Sequence, residues 1–137
     1  MNFINLRISG IGLNLEEITQ KLKTDPNTSF KKGDTSIGRH KEIIMHTEDY
    51  WIYGEKFDED VSIDEMTKQF VVKYLPCKNY IKELAEQFNI TLWVSLYLED
   101  IQFNVHLSAE NLKSITELGV TLDITFMYLR DFYEGNY

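Results

Sequence analysis

The sequence holds a single cysteine, Cys77, so no disulfide can close within the chain. Thiols left uncrosslinked fit a reducing compartment. There is no long hydrophobic run either. The longest nearly apolar stretch, Ile90 to Leu98, falls far short of the ~20 residues that a membrane-spanning helix needs. Met1 to Gly12 lacks a basic segment followed by an apolar one, the mark of an export signal. These absences lead to the expectation of a cytoplasmic protein with no membrane association.

The signatures of common chemistries are missing as well. No P-loop, dinucleotide fingerprint or Gly-x-Ser-x-Gly elbow is present, and Gly10-x-Gly12 is too short to be one. The histidines are His40, His46 and His106. None pairs with another at helical ligand spacing, although His40 and His46 could share one strand face. Cys77 has no base beside it and falls on the apolar stripe of a predicted helix, which reads as a structural thiol. The expectation is therefore no metal, no cofactor and no enzymatic activity.

What is present describes an ordinary folded chain. Its 137 residues suit one domain, residues 1–137, and 43% hydrophobic with 13% aromatic content is enough to fill a core. The formal net charge is −8, which repels phosphate backbones and makes a nucleic-acid partner unexpected. The same field attracts basic proteins, and it also serves solubility.

Residues Phe3 to Ile8 alternate like a half-buried strand, and Gly10 and Gly12 follow as a turn. Asn14 with Glu17 forms a capping box for a helix carrying Leu15, Ile18 and Leu22, which Asp25-Pro26-Asn27 ends. A polar loop from Ser29 to Gly38 precedes two strands, Lys41 to His46 and Tyr50 to Gly54, expected to pair as a hairpin across Glu48-Asp49. Ser62 with Glu65 caps a helix bearing Met66, Phe70 and Tyr74. Pro76 opens another, with Cys77, Ile81, Leu84, Ala85 and Phe88 on one stripe. Ile90 to Leu98 is the clearest strand, and Glu99-Asp100 turns it into a further one, Ile101 to His106. Ser108 caps a last helix whose Leu112, Ile115 and Leu118 face inward, with Gly119 terminating it. A final strand places Leu122, Ile124, Phe126 and Tyr128 on one face, before a polar tail to Tyr137.

The order β-α-β-β-α-α-β-β-α-β predicts an α+β fold, a ferredoxin-like variant. Its mostly antiparallel sheet of about six strands would carry helices on one side. Leu13-Asn14-x-Glu16-x-Ile18 and Leu107-Ser108-x-Glu110-x-Leu112 resemble each other. Two unrelated capped helices, or a degenerate duplication, both account for that.

Two charged clusters are candidate binding surfaces. Asp58, Glu59, Asp60, Asp64 and Glu65 crowd one segment, either as a solvated helix start or as a docking patch for a basic protein. Lys31, Lys32, Arg39, His40 and Lys41, with Trp51 nearby, form an alternative anion-binding region. The separation of the two charges suggests a molecule able to pair head to tail with itself, so a homo-oligomer is among the expected partners.

Two stretches carry a familiar pattern. One is Ser9-Gly10, Leu13 and its capped helix, Pro26, Lys32-Gly33-Asp34 and Trp51; the other runs from Leu107-Ser108 through Leu118-Gly119 to Leu122-Asp123-Ile124. Together they resemble a bacterial family known only as a domain of unknown function, number four-two-seven-nine. Phe126-Met127-Tyr128 departs from it where members often carry one late tyrosine. The resemblance implies a small bacterial domain and no catalytic residues. By analogy with small acidic bacterial domains, it also implies an immunity-type inhibitor as one form of a protein-binding module. A small-molecule or anion sensor bound near residues 31–41 is the competing expectation.

Overall fold

The structure is a computed structural model that describes residues 1–99 and 103–128. The elements run β1 (Asn2–Gly10), α1 (Leu15–Leu22), β2 (Thr28–Phe30), β3 (Thr35–Ile37), β4 (Ile43–Met45), β5 (Asp49–Phe57), α2 (Ile63–Val72), a 3-10 turn (Leu75–Cys77), α3 (Lys78–Ala85), β6 (Asn89–Leu98), α4 (Ala109–Leu118) and β7 (Thr121–Tyr128). The fold is α+β, with a mixed five-stranded sheet in the order β2-β5-β1-β6-β7 and a separate two-stranded ribbon, β3-β4.

The period-2 pattern of β1 makes it the centre of the sheet. Ile4, Leu6 and Ile8 are buried on one face, opposite Val94, Leu92 and Ile90 of β6 on one side and Glu55, Tyr53 and Trp51 of β5 on the other. Strands β5 and β6 are both antiparallel to β1, hence parallel to each other. With α2 and α3 they form a β-α-β unit split by β1. Helix α4 carries the chain to β7, which pairs parallel with β6. The other sheet pairings are antiparallel, as expected.

All four α-helices cover one face. Ile18 and Leu22 of α1, Met66, Phe70 and Val71 of α2, Ile81 of α3, and Ile115 and Leu118 of α4 join the buried strand residues in one core. The expected caps form. Asn14, Ser62 and Ser108 accept the N–H groups of Glu17, Glu65 and Asn111, and Gly119 ends α4 in the left-handed region at φ 71°. Cys77 precedes α3, and its thiol donates to the Lys21 carbonyl at the end of α1 (3.4 Å). On the face away from the helices Arg7 stacks over Trp93 (4.4 Å to the ring centre) and Phe3 meets Tyr97 edge-on, so these side chains shield one another.

Three expectations need correction. First, the hairpin from Lys41 to Gly54 does not form. Residues 43–45 pair backwards with β3, because Gly38 and Lys41, the latter at φ 64°, close a tight turn between them, while β5 pairs with β1 and β2. Second, residues 103–106 of the expected strand Ile101 to His106 are not in a strand; Ile101 itself, like the tail 129–137, lies outside the described residues. Third, Leu112 is 46% exposed, since Asn111, bound to α2, takes the inward position on α4. On β7, Leu122, Ile124, Phe126 and Tyr128 share one face as expected, beside Leu92, Val94, Leu96 and Leu98 of β6, with Phe126 47% exposed near the strand end. Among the described residues no helix is long and apolar enough to cross a membrane.

Candidate functional site

The two clusters of charge lie at opposite ends of the β1-β5 pair. Asn2 pairs with Phe57 at one end and Gly10 with Asp49 at the other, about 26 Å apart at ~3.3 Å per residue.

At the Phe57 end both α2 and α4 begin. Their free N–H groups and aligned dipoles favour anions there. Asp64, in the first turn of α2, serves both helices. Its Oδ1 accepts the Ser108 N–H (2.8 Å) and the Asn111 side-chain amide (2.6 Å), and Asn111 also donates to the Asp64 main-chain carbonyl (2.8 Å). The Ser108 N–H above all, then Asn111, with a smaller contribution from the charge of His106, holds the Asp64 carboxyl below its ordinary value. Asn111 is buried, and the Ser108 hydroxyl caps its N–H.

Beside this junction opens a cleft of about 510 Å³, walled by Val61, Leu98 and Phe103 and edged by Glu59, Asp64 and Glu99. That volume lies within the usual range of binding clefts. Phe103 is 48% exposed at its mouth. Asp58, Glu59 and Asp60 stand exposed on the adjoining loop; Glu65 is also exposed and accepts a hydrogen bond from Gln69 (3.1 Å). The five acidic residues singled out in the sequence therefore do lie at one end. Asp64 is tied into the helix junction, and Glu99 joins them from the end of β6. Among the described residues, no three histidine, cysteine or acidic side chains are arranged to hold a metal ion.

The other end is organised by Asp49, at the start of β5. Its side chain is buried. Oδ2 accepts the N–H groups of Gly12 (2.9 Å) and Leu13 (3.0 Å), and Oδ1 that of Lys32 (2.7 Å). The Lys32 N–H first, then those of Gly12 and Leu13, hold its carboxyl below the ordinary value against the opposing effect of burial. The loop so fixed leads into the β3-β4 ribbon. At the ribbon's base His46 stacks on Phe30 (ring centres 3.9 Å apart) and its Nε2 hydrogen-bonds the Ser36 hydroxyl (3.0 Å). Among the described residues, strands β3 and β4 pair only with each other. Ile37 and Ile43 stand opposite one another and are each 79% exposed, with Met45 on the same face at 67%. Arg39, His40 and Lys41 form the ribbon's tip, where Glu42 accepts the His40 N–H (2.8 Å).

The basic residues are thus not gathered into one anion site. The Lys31 ammonium donates to the Leu13 carbonyl (3.1 Å), near the base, while Arg39, His40 and Lys41 sit at the far tip. Trp51 does not belong with them. Alternation along β5 puts it on the helix-covered face opposite Ile8, fully buried, with its Nε1 donating to Thr19 (3.1 Å). His46, taken with His40 as a possible pair, is a structural anchor of the ribbon instead.

Sequence reading missed Asp49, Asn111 and the exposed aliphatic ribbon. Asp49 stood in a presumed hairpin turn, and nothing in its neighbours announced three amide donors. The ribbon carried a usable signal: Ile37, Ile43, Ile44 and Met45 interrupt an otherwise polar, basic stretch.

A family model described as a domain of unknown function, DUF4279, matches residues 2–129. No curated protein and no solved structure matches the chain.

Proposed function

Because the chain belongs to the DUF4279 family of unknown function, we propose its role from its own surfaces: a protein-binding module that receives a basic partner at the acidic end of the sheet. The observation that carries this reading is the cleft beside Asp64, where exposed apolar Phe103 is flanked by Glu59 and Glu99 and continued by Asp58 and Asp60. An apolar floor with a charged rim is the usual composition of an interface, with charge setting the encounter rate and apolar contact the lifetime. An immunity-type inhibitor, which must meet a basic toxin quickly, is one form of such a module. The same reading takes the chain to be no enzyme: Asp49 accepts three main-chain N–H groups and Asp64 a main-chain N–H and a side-chain amide, so both carboxylates are engaged in holding the fold. A cytoplasmic location is part of the same proposal.

The test is a capture experiment from the source cell with the native chain and with Asp58→Lys/Glu59→Lys/Asp60→Lys, each at low and high salt. A basic protein retained by the native chain at low salt, and lost both at high salt and with the triple variant, is the expected result. Equal retention by the variant would overturn the acidic surface as the binding site.

A further inference from the structure

The β3-β4 ribbon is the most anomalous surface of the molecule. Ile37, Ile43 and Met45 expose most of their area side by side on a strand pair that no other strand joins among the described residues. An aliphatic strip of this kind at a folded surface marks a contact site. The tip beyond it carries two cations, Arg39 and Lys41, against one carboxylate, Glu42, and so is net basic. At the far end of the sheet lies a cleft with the converse character, apolar at Leu98 and Phe103 and acidic at Glu99 and at Glu59, whose carboxylate also meets the Met1 ammonium (3.0 Å), with Asp58 and Asp60 exposed on the adjoining loop.

We infer that the ribbon of one copy docks in the acidic cleft of a second copy of this chain. The inference rests on the reading of the cleft as a protein-binding surface and adds its occupant. Charge complementarity selects this occupant. The chain as a whole carries −8, so two copies repel at long range and associate only where the local basic tip meets the local acidic rim. The two surfaces are different and lie at opposite ends of the β1-β5 pair, so the contact is heterologous. A copy whose ribbon is docked still offers an empty cleft, and assembly continues unless a ring closes. The ribbon is suited to this task because its shape is set internally: Gly38 donates to the Glu42 carbonyl (2.8 Å) and His46 to that of Asp34 (2.8 Å), so little ordering is needed on docking.

The experiment is light scattering coupled to size exclusion at tens of micromolar, on the native chain and two variants. The ribbon variant is Lys41→Glu/Ile43→Ser; the cleft variant is Asp58→Lys/Glu59→Lys. The native chain should show a mass rising with concentration and falling with added salt. Each variant alone should be monomeric. A mixture of the two should stop at a dimer, since only one intact ribbon and one intact cleft remain to meet. A native chain that stays monomeric overturns the inference without touching the acidic-surface proposal, which the capture experiment decides separately. An undiminished mass in the ribbon variant overturns it too. So does a monomeric native chain whose ribbon variant alone loses binding to phosphatidylcholine–phosphatidylserine vesicles, which would assign the strip to a lipid surface.

Discussion

The two ends of the central strand pair are each organised by one aspartate, and the two aspartates work differently. Asp49 binds three main-chain N–H groups from two separate loops, those of Gly12 and Leu13 and that of Lys32, so it holds irregular chain in place from inside. Asp64 binds one main-chain N–H and one side-chain amide at the start of a neighbouring helix, next to open solvent. One carboxylate substitutes for regular structure, while the other joins two regular elements. At the first end that one side chain ties the loop after β1 to the loop after β2, with the Lys31 ammonium on the Leu13 carbonyl beside it. The second has helix caps at Ser62 and Ser108 that persist without Asp64.

The sharpest break of this comparison is Asp49→Ala. It leaves three amide donors without their acceptor, that of Leu13 buried and those of Gly12 and Lys32 partly so; a fully buried donor without a partner costs roughly 1–3 kcal/mol and one that water can reach costs less, so a loss of about 2–3 kcal/mol is expected from urea unfolding. The loop from Gly12 and the ribbon should also lose hydrogen-exchange protection. A smaller loss, about 1–2 kcal/mol, is expected for Asn111→Ala, which removes both amide contacts to Asp64 but keeps the Ser108 cap. If Asn111→Ala proved as damaging as Asp49→Ala, the claimed asymmetry between the ends would be wrong.

Acid titration sharpens the contrast further. Both carboxyls lie below the ordinary value of 3.8 when folded. A depressed folded value contributes stability that is complete above the unfolded pKa and disappears as pH falls through the folded one. Tm should therefore be flat near neutrality and drop below about pH 4. That drop should be shallower in Asp49→Asn than in the native chain, as thermal melts across the range would reveal. The smallest effect on stability belongs to Ile37→Ser/Ile43→Ser. Both residues are mostly exposed, so the change should stay within about 0.5 kcal/mol while abolishing concentration-dependent mass.

The same contrast explains what could be read from the chain beforehand. The β1 and β6 alternations, the caps at Asn14, Ser62 and Ser108, and Gly119 were legible because each depends on residues a few positions apart. The acidic end was legible for that reason as well: Asp58 to Glu65 are contiguous, and α2 begins among them. Asp49 was not, because its partners lie 17 to 37 positions away. The pairing of 43–45 was misassigned because alternation reports which residues share a face and is silent about which strand lies beside them. Leu112 was placed inward on apolarity alone, whereas the buried position on that turn belongs to Asn111, an amide whose partner is on another helix.

The central position of β1 also has a consequence for biosynthesis. Its apolar residues Ile4, Leu6 and Ile8 leave the ribosome before both of their neighbours, since the strand that flanks them on one side ends near residue 57 and the other near residue 98. At roughly 5–20 residues per second, about ninety further residues take some 5–18 s to be made. For that interval at least one edge of the first strand is an unpaired aliphatic template, the kind of segment that nascent-chain chaperones hold. A chain stopped before β6 would keep one edge of β1 open, and should accumulate as aggregate instead of as a smaller folded unit.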